Sequence, residues 1–372
     1  MRRDNWALST YNPAMAEKIQ VKLGERGYAV QIGRGLAEDS AAVSGSAARV
    51  IVTDENVGRL YAQKFSQMLG ARVITVPCGE GSKSLACLES VYAQLLAPRD
   101  LDRHTVIVAL GGGVIGDLAG FAAATLFRGV RYVQMPTTLL AMVDSSVGGK
   151  TAINHETGKN LIGAFHQPRA VWCDVAFLAT LPEREYVSGL AEVVKTAAIG
   201  NPALFAMLEA STSAILARED EPVTRMIADC VRFKAAVVEQ DETETTGRRA
   251  VLNFGHTLGH ALENLYPNRW LHGEAVAIGM VGALRLSAER AALDPVVAER
   301  IVGLLRAFGL PTALPPELDA DAAADVMLGD KKRIGATVGF VLLKALGEPV
   351  ALPCAVDSAL LQTLLGPHNE RA

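Results

Sequence analysis

LGGGVIGDLAGFAAATLFRGVRYVQMPTTLLAMVDSSVGGKTAINHETGKN, residues Leu110 to Asn160, sets the frame for the chain on either side of it. An apolar run, Thr105–Leu110, breaks into Gly111, Gly112 and Gly113. Gly116 and Asp117 then open a helix that is apolar or small on every face. A strand running through glycines into a helix N-terminus presents backbone N–H groups and the positive end of the helix dipole, and glycine lets an anion come close to both. The second half carries Thr137, Thr138, Asp144, Lys150, Lys159 and Asn160, separated by glycines. Polar groups set among glycines point to a binding surface rather than a core. The stretch reads as the seam between a nucleotide and a phosphorylated substrate.

Gly111–Gly116 fits G-x-G-x-x-G, a pattern that any tight strand-to-helix turn can also produce. The acid expected about 20 residues further on is missing, because Val130–Met135 runs into Pro136. An acid does end an earlier strand, at Asp54. The expectation is a dinucleotide held outside the standard Rossmann arrangement.

Working outward, β-rich runs at Tyr28–Ile32, Val50–Thr53, Arg72–Val76, Thr105–Leu110, Arg131–Met135 and Ala170–Cys173 alternate with helical spacing at Leu60–Leu69 and Ser84–Leu96. Strand and helix in alternation predict a parallel sheet covered on both faces, with ligands at the carboxyl ends of its strands. Asp54, Glu80, Gly111–Gly113 and Thr137 all fall just past such ends. After Leu181-Pro182 the pattern turns helical: Arg184–Ile199, Pro202–Leu216, Pro222–Gln240, Thr257–Leu265, Gly273–Ala291 and Pro295–Phe308, with a surface helix at Ala320–Ala324. The fold class is therefore an α/β N-terminal domain with a Rossmann-like parallel sheet, followed by an all-α C-terminal domain. Residues 1–16 read as a disordered extension, 17–181 as the nucleotide domain and 182–372 as the helical domain.

At 372 residues the chain has room for two domains, and half of it is hydrophobic. No apolar run approaches the roughly 20 residues of a membrane span. The net charge of −4 argues against nucleic acid as the main partner. Five scattered cysteines without a C-x-x-C pair point away from disulfides and cysteine zinc sites, and toward a reducing cytoplasm.

Three of the seven histidines fall within FGHTLGHALENLYPNRWLHGE. His256 and His260 are i and i+4 on one helix face, and His272 follows a short loop. Imidazoles with a carboxylate suit zinc, and three protein ligands with an open position is the catalytic pattern. Spacing does not choose the carboxylate among Glu192, Glu263 and Glu274. Basic residues form a third group: Arg128, Lys150, Lys159, Lys195, Lys234, Arg249, Lys331 and Lys332. Several sit in glycine-rich or apolar settings, as lysine does when it is placed for an anion.

GGGVIGDLAGF, PTTLLAMVDSSVGGKTAINHETGKNLIGAF, GLAEVVK, LNFGHTLGHALE, HGEAVAIGM and DKK together resemble the blocks of the 3-dehydroquinate synthase family, in the family's order and over nearly the whole chain. The resemblance implies a carbon–oxygen lyase acting on a phosphate ester: 3-deoxy-D-arabino-heptulosonate 7-phosphate becomes 3-dehydroquinate and phosphate. It implies NAD, Zn2+ or Co2+, and a homodimer. By it, Glu192, His256 and His272 would be the metal ligands. NAD would lie along Asp54, Glu80, Lys83, Gly113, Val114, Ile115, Gly116, Asp117, Thr137, Thr138, Lys150, Lys159 and the segment Phe177, Leu178, Ala179, Thr180. Substrate would be held by Arg128, Asp144, Lys150, Asn160, Lys195, Lys234, Arg249, Asn253, His260 and one lysine of the Lys331-Lys332 pair. Lys150, Lys195, Arg249, Asn253 and His260 would be catalytic. The segment Asp241–Arg249 is one residue longer than the common family spacing, and Arg249 rather than Arg248 keeps the distance to Asn253. Other sugar phosphate cyclases and metal-dependent NAD alcohol dehydrogenases share the architecture. The VDSSVGGK block favours the dehydroquinate reaction, and a dehydrogenase has no need of so many phosphate-directed lysines.

Overall fold

The structure, a computed structural model, describes residues 16–36, 47–329 and 337–365. The expected extension, apart from Ala16, and both Lys331 and Lys332 lie outside the described residues. Contacts divide the chain into two units: residues 1–181 with 220–243, and 182–219 with 244–372.

The first unit is built on a seven-stranded sheet. Its strands are β1 (Glu17–Val21), β2 (Tyr28–Gly33), β3 (Arg49–Asp54), β4 (Arg72–Val76), β5 (Val106–Gly111), β6 (Arg131–Pro136) and, after a separate hairpin β7 (Lys150–His155) and β8 (Gly158–Phe165), β9 (Ala170–Asp174). The order is β1-β2-β9-β6-β5-β3-β4. All neighbours are parallel except β1, which pairs antiparallel with β2. Runs such as VIVAL in β5 and YVQMP in β6 are buried from end to end. Near-continuous apolar strands are what a sheet covered on both faces requires. From β3 the chain goes to one side for β4 and to the other for β5. The carboxyl ends of β3 and β5, at Asp54 and Gly111, thus flank the point where strand order reverses, where open α/β sheets bind ligands.

The helix Gly113–Thr125 explains its own glycine and alanine content. A Cβ on Gly116 would lie 2.7 Å from Gln134 Oε1 of β6, and one on Gly120 would lie 2.5 Å from Thr151 Cγ2 of β7. Small residues let the helix lie close on β6 and the hairpin at once. Ser84 caps the helix Leu85–Leu96 by accepting from Cys87 N–H, as the Ser-before-apolar pattern predicts.

The second unit is helical: Glu183–Gly200, Pro202–Ala210, Thr212–Leu216, His256–Leu265, His272–Arg290, Pro295–Ala307, Ala320–Leu328 and Ser358–Leu365. Asn201 caps its helix by accepting from Leu204 N–H at 3.0 Å, with Pro202 in the first turn. His272–Arg290 is buried on most of its surface and approaches two neighbours through glycines. A Cβ on Gly279 would lie 1.9 Å from Gly255 O, and one on Gly273 would lie 1.8 Å from Ser188 O.

Four details depart from the sequence reading. The glycine-rich block after Gly149 forms the hairpin β7–β8, in which Thr151, Ala152 and Ile153 are all buried and Ile153 joins the core. Pro202–Leu216 is two helices broken at Ser211. The second unit also contains a hairpin, β10 (Thr337–Ala345) with β11 (Glu348–Ala355), which covers the helices with Phe340 and Leu342. Finally, the helix Asp220–Gln240 belongs to the first unit, although it lies past Leu181 in sequence. Its buried stripe, including Met226, Ile227, Cys230 and Val231, packs on β1, β2 and the turn Ala141–Ser145. Arg34 with Asp220, Arg232 with Glu17, and Lys234 with Asp144 clasp it there. A helical period says which face is apolar; it does not say what that face will meet.

Candidate active site

In the first unit, Gly112 is the N-cap residue of Gly113–Thr125, and no side chain caps that helix end. Its first N–H groups therefore stay available to an anion. The turn is tightly lined: a Cβ on Gly112 would meet Thr138 Cγ2 at 3.0 Å, and one on Gly113 would meet Ser145 Oγ at 3.1 Å. Thr137 N–H donates to Gly111 O at 3.0 Å, which fixes the Pro136–Thr138 corner beside the glycines. Val114 is half-buried at the helix start, while Ile115 faces the core.

Asp54 ends β3 and accepts from Asn56 N–H at 2.8 Å and Val57 N–H at 3.0 Å, so one of its oxygens already serves as a cap. Of the Phe177–Thr180 segment, Phe177 and Leu178 turn inward, Phe177 packing edge-on to Tyr61 at 4.9 Å. Ala179 and Thr180 face outward, and Thr180 Oγ1 pairs with the Tyr61 hydroxyl at 2.5 Å.

Lys83 is 4% exposed, and its ammonium donates to Asp117 Oδ2 at 2.7 Å and to Asn160 Oδ1. Burial pushes the Asp117 carboxyl up, against the opposing pull of Lys83. Glu80 Oε1 lies 3.7 Å from the same ammonium. The residues expected for the nucleotide thus contact Asn160, expected for the substrate. Lys234 donates to Asp144 Oδ1 at 2.7 Å and to Asp144 O at 2.5 Å, which joins two further substrate candidates. Lys150 and Lys159 are exposed on the hairpin, and Arg128 is exposed at a left-handed φ of 65°.

In the second unit, Glu192, His256 and His272 offer ligand atoms that all lie within 4.8 Å of one another. Glu192 Oε1 is 3.6 Å from His256 Nε2 and 3.5 Å from His272 Nε2. The other ring nitrogens are engaged: His256 Nδ1 with Phe254 O at 3.2 Å, and His272 Nδ1 with Glu263 Oε2 at 3.3 Å. Acceptors on both Nδ1 atoms fix the tautomers and turn both Nε2 lone pairs toward Glu192. Glu192 is 1% exposed, and neither of its oxygens makes a hydrogen bond of good geometry. A buried carboxylate without such bonds fits a cation.

Of the three carboxylates left open by spacing, Glu263 lies against His272 Nδ1 and forms with His260 and His272 a second, more exposed group whose ligand atoms also lie within 4.8 Å of one another. Glu274 accepts a two-pronged bond from Arg184, each arm at 2.7 Å, and one from Leu271 N–H at 2.8 Å. Only Glu192 remains facing both imidazoles. Burial is the largest influence on its carboxyl and pushes it up, but Lys195, His272 and His256 outweigh burial and hold it well below the usual range. Burial and Lys195 push His256 down to about 3. Burial also disfavours the charged form of His272, yet its contacts with Glu192 and Glu263 carry it up to about 10.

Lys195 is buried one helical turn from Glu192 and pairs with it. His260 is exposed, its ring edge-on to His256 at 5.2 Å. Arg249 is 2% exposed whereas Arg248 and Asn253 are exposed. Sequence reasoning did not anticipate the backing roles of Glu263 and Phe254 O. Glu263 follows His256 by seven residues, two turns along one face, and that spacing could have flagged it. It also did not single out Asn154, which lies inside the PTTLLAMVDSSVGGKTAINHETGKNLIGAF block with no role attached to it.

A glycine turn uncapped for an anion in the first unit and a His-His-Glu cluster in the second fit the class of nucleotide- and metal-assisted enzymes. Sequence comparison then narrows the class. The 3-dehydroquinate synthase N-terminal family matches residues 73–188, and the C-terminal family matches residues 189–333. The chain is 48% identical over 350 residues to the 3-dehydroquinate synthase of Halorhodospira halophila, covering 93% of this chain and 98% of that one. It is 47% identical over 354 residues to that of Methylococcus capsulatus, at the same coverage. Among solved structures, 2-deoxy-scyllo-inosose synthase complexed with carbaglucose-6-phosphate, NAD+ and Co2+ superposes with a TM-score of 0.83 at 26% identity, covering 94% of this chain and 99% of that chain. The 2-epi-5-epi-valiolone synthase of Streptomyces hygroscopicus, with NAD+ and Zn2+ bound, gives 0.82 at 28%, covering 91% and 95%. A sulfoacetaldehyde reductase from Bifidobacterium kashiwanohense, at 15% identity and a TM-score of 0.66, covering 96% and 99%, shares the fold alone. The chain belongs to the 3-dehydroquinate synthase family, and it is an enzyme with that family's activity.

Proposed function

We infer that the first unit holds NAD and the second holds the divalent metal, Zn2+ or Co2+, for conversion of 3-deoxy-D-arabino-heptulosonate 7-phosphate to 3-dehydroquinate and phosphate. The observation that carries this reading is the Glu192–His256–His272 cluster, with both Nδ1 atoms engaged and a buried carboxylate facing both Nε2 atoms. The two solved cyclases, which carry NAD+ with Co2+ or Zn2+, support the same pairing. When bound, NAD supplies reversible oxidation of one substrate carbinol, which makes the adjacent C–H acidic, and the metal supplies Lewis acidity toward the substrate hydroxyls.

The chain's own residues then hold anions and geometry. The uncapped helix start at Gly113–Asp117, with Thr137 and Thr138 beside it, takes the pyrophosphate of the nucleotide; Asp54, Glu80, Lys83, Lys159 and the outward part of Phe177–Thr180 line it. Each unit carries its own groups for the substrate's anions and hydroxyls: Lys150, Asn160, Asp144, Lys234 and Arg128 in the first, and Lys195, Arg249, Asn253 and His260 in the second. Elimination breaks the C–O bond to phosphate as the acidic proton leaves, and the departing phosphate is itself the base. That division of labour suits a site rich in Lys, Arg and Asn. Ring opening and an aldol step close the carbocycle, with His260 placed to handle a proton beside the metal cluster. The enzyme works in the cytoplasm as a homodimer, a reading supported by family membership and by five free cysteines. Among the described residues, no helix is long and apolar enough to cross a membrane.

Phosphate release measured with substoichiometric NAD tests the reading. Many turnovers per NAD are expected, without accumulating NADH absorbance, and chelator should abolish them. Stoichiometric NADH build-up would instead mark a dehydrogenase.

A further inference from the structure

The hairpin β7–β8 pairs regularly from Lys150 with Phe165 to Ile153 with Ile162, and then jumps to His155 with Gly158. One residue, Asn154, therefore faces three: Lys159, Asn160 and Leu161. Bulges of this kind re-aim side chains. Inside this one Asn160 has a φ of 59°, a left-handed conformation that asparagine tolerates but that needs support from its surroundings.

Asn154 provides that support. Its side-chain Oδ1 accepts from Asn160 N–H at 2.9 Å, and its Nδ2 donates to Glu80 Oε1 at 2.7 Å. Its backbone N–H donates to Lys83 O at 2.7 Å. The amide orientation follows from the partners, since an ionised carboxylate only accepts and a backbone N–H only donates. Each end of one short amide is thus committed, one to the turn expected for the nucleotide and one to the bulge expected for the substrate. Asp in its place would lack the donor, and Ala would lack both groups.

We propose that Asn154 is a positioning residue that ties the nucleotide-side turn at Glu80 to the substrate-side bulge at Asn160. It holds Asn160 left-handed, so that the Asn160 side chain stays on the buried Lys83 ammonium, and it holds the Glu80 carboxylate toward the hairpin. The inference rests on the assignment of Glu80, Lys83 and Asn160 given under Proposed function.

The test is a double-mutant cycle read by NADH fluorescence titration on the full chain, with substrate KM and kcat alongside. Asn154→Asp is isosteric and keeps the acceptor for Asn160 N–H, but it sets two carboxylates against each other. Paired with Glu80→Gln it regains one donor and one acceptor with reversed polarity. Asn154→Asp should weaken NADH binding about tenfold when residue 80 is Glu and less than about twofold when it is Gln. Asn154→Ala should raise substrate KM about tenfold with a smaller change in kcat, because Asn160 loses its anchor. A merely structural role would lower the melting temperature and leave NADH affinity and substrate KM unchanged. Equal NADH losses in both backgrounds, or no loss in either, would overturn the proposal. Failure of the unsubstituted chain to bind NADH would instead bring down the assignment on which it rests.

Discussion

Gly273→Ala should remove the metal without altering a ligand. The added Cβ would lie 1.8 Å from Ser188 O and 2.7 Å from Ser188 C, both backbone atoms within the helix Glu183–Gly200. Backbone cannot swing aside as a side-chain tip can. Restoring ordinary contact requires the two helices to part locally by about 1.6 Å. Glu192 lies one turn beyond Ser188, and His272 adjoins Gly273, so the displacement reaches both ligands. Glu192 Oε1 and His272 Nε2 are now 3.5 Å apart. Two ligands of one tetrahedral zinc, each about 2.0–2.1 Å from it, sit about 3.4 Å apart and cannot exceed about 4.1 Å. Opening the pair to about 5 Å puts one of them out of reach. Metal affinity should fall by at least about a hundredfold, and overpacking should cost about 1–3 kcal/mol of stability. Co2+ titration followed by visible absorption measures the first effect, and thermal unfolding the second. Gly282→Ala is the control on the same helix, since its Cβ would meet the flexible tips of Leu364 at 2.8 Å and Leu258 at 3.0 Å, and a backbone atom, Leu364 O, only at 3.3 Å. Parental metal affinity in Gly273→Ala would refute the argument.

Glu192→Gln, His256→Ala and His272→Ala should each lose bound zinc by elemental analysis, while His260→Ala keeps it and loses turnover; full occupancy in His272→Ala would rule out this ligand set. Because His272 is raised from 6.5 to about 10 in the metal-free fold, its protonation stabilises that fold fully below pH 6.5, and the contribution is lost as pH rises through about 10. Metal uptake near pH 8 must displace that proton, so calorimetry in buffers of different ionisation enthalpy should count about one proton released per ion. Arg249→Ala should cut kcat/KM by at least about a hundredfold, and Arg248→Ala should change it little, given that Arg249 is buried and Arg248 exposed; steady-state kinetics showing the reverse would relocate the arginine role.

The parallel sheet was legible because its strands are continuous apolar runs with polar punctuation. Arg72–Val76 was read with the boundaries the structure shows, and the other five strand readings differ by a residue or so at their ends. The helices were legible through their proline starts and 3.6-residue spacing. What escaped were elements defined by a partner rather than by their own pattern. β1 pairs along an edge, β10–β11 reads in isolation as a mixed apolar run, and the destination of Asp220–Gln240 depends on the surface it meets. In the site, spacing on a histidine-poor chain brought out three imidazoles, and the family resemblance rather than spacing named His256 and His272 among them. Spacing left the carboxylate open and the resemblance named Glu192; in the structure Glu192 faces His256 and His272, while Glu274 is taken by Arg184. Asn154 could not be found from sequence, because its role arises from a bulge.

The return of Asp220–Gln240 to the first unit has a consequence for how the gene can be cut. The polypeptide passes between the units three times, after Leu181, Glu219 and Thr243. A fragment ending at Leu181 would carry the whole glycine turn and yet lack Lys234. It would also leave bare the apolar surface of β1 and β2 that this helix covers. The first unit is therefore not a cassette that truncation or simple fusion can transplant. To isolate it, a designer would have to rejoin residue 181 to residue 220 with a linker that replaces the excursion between them.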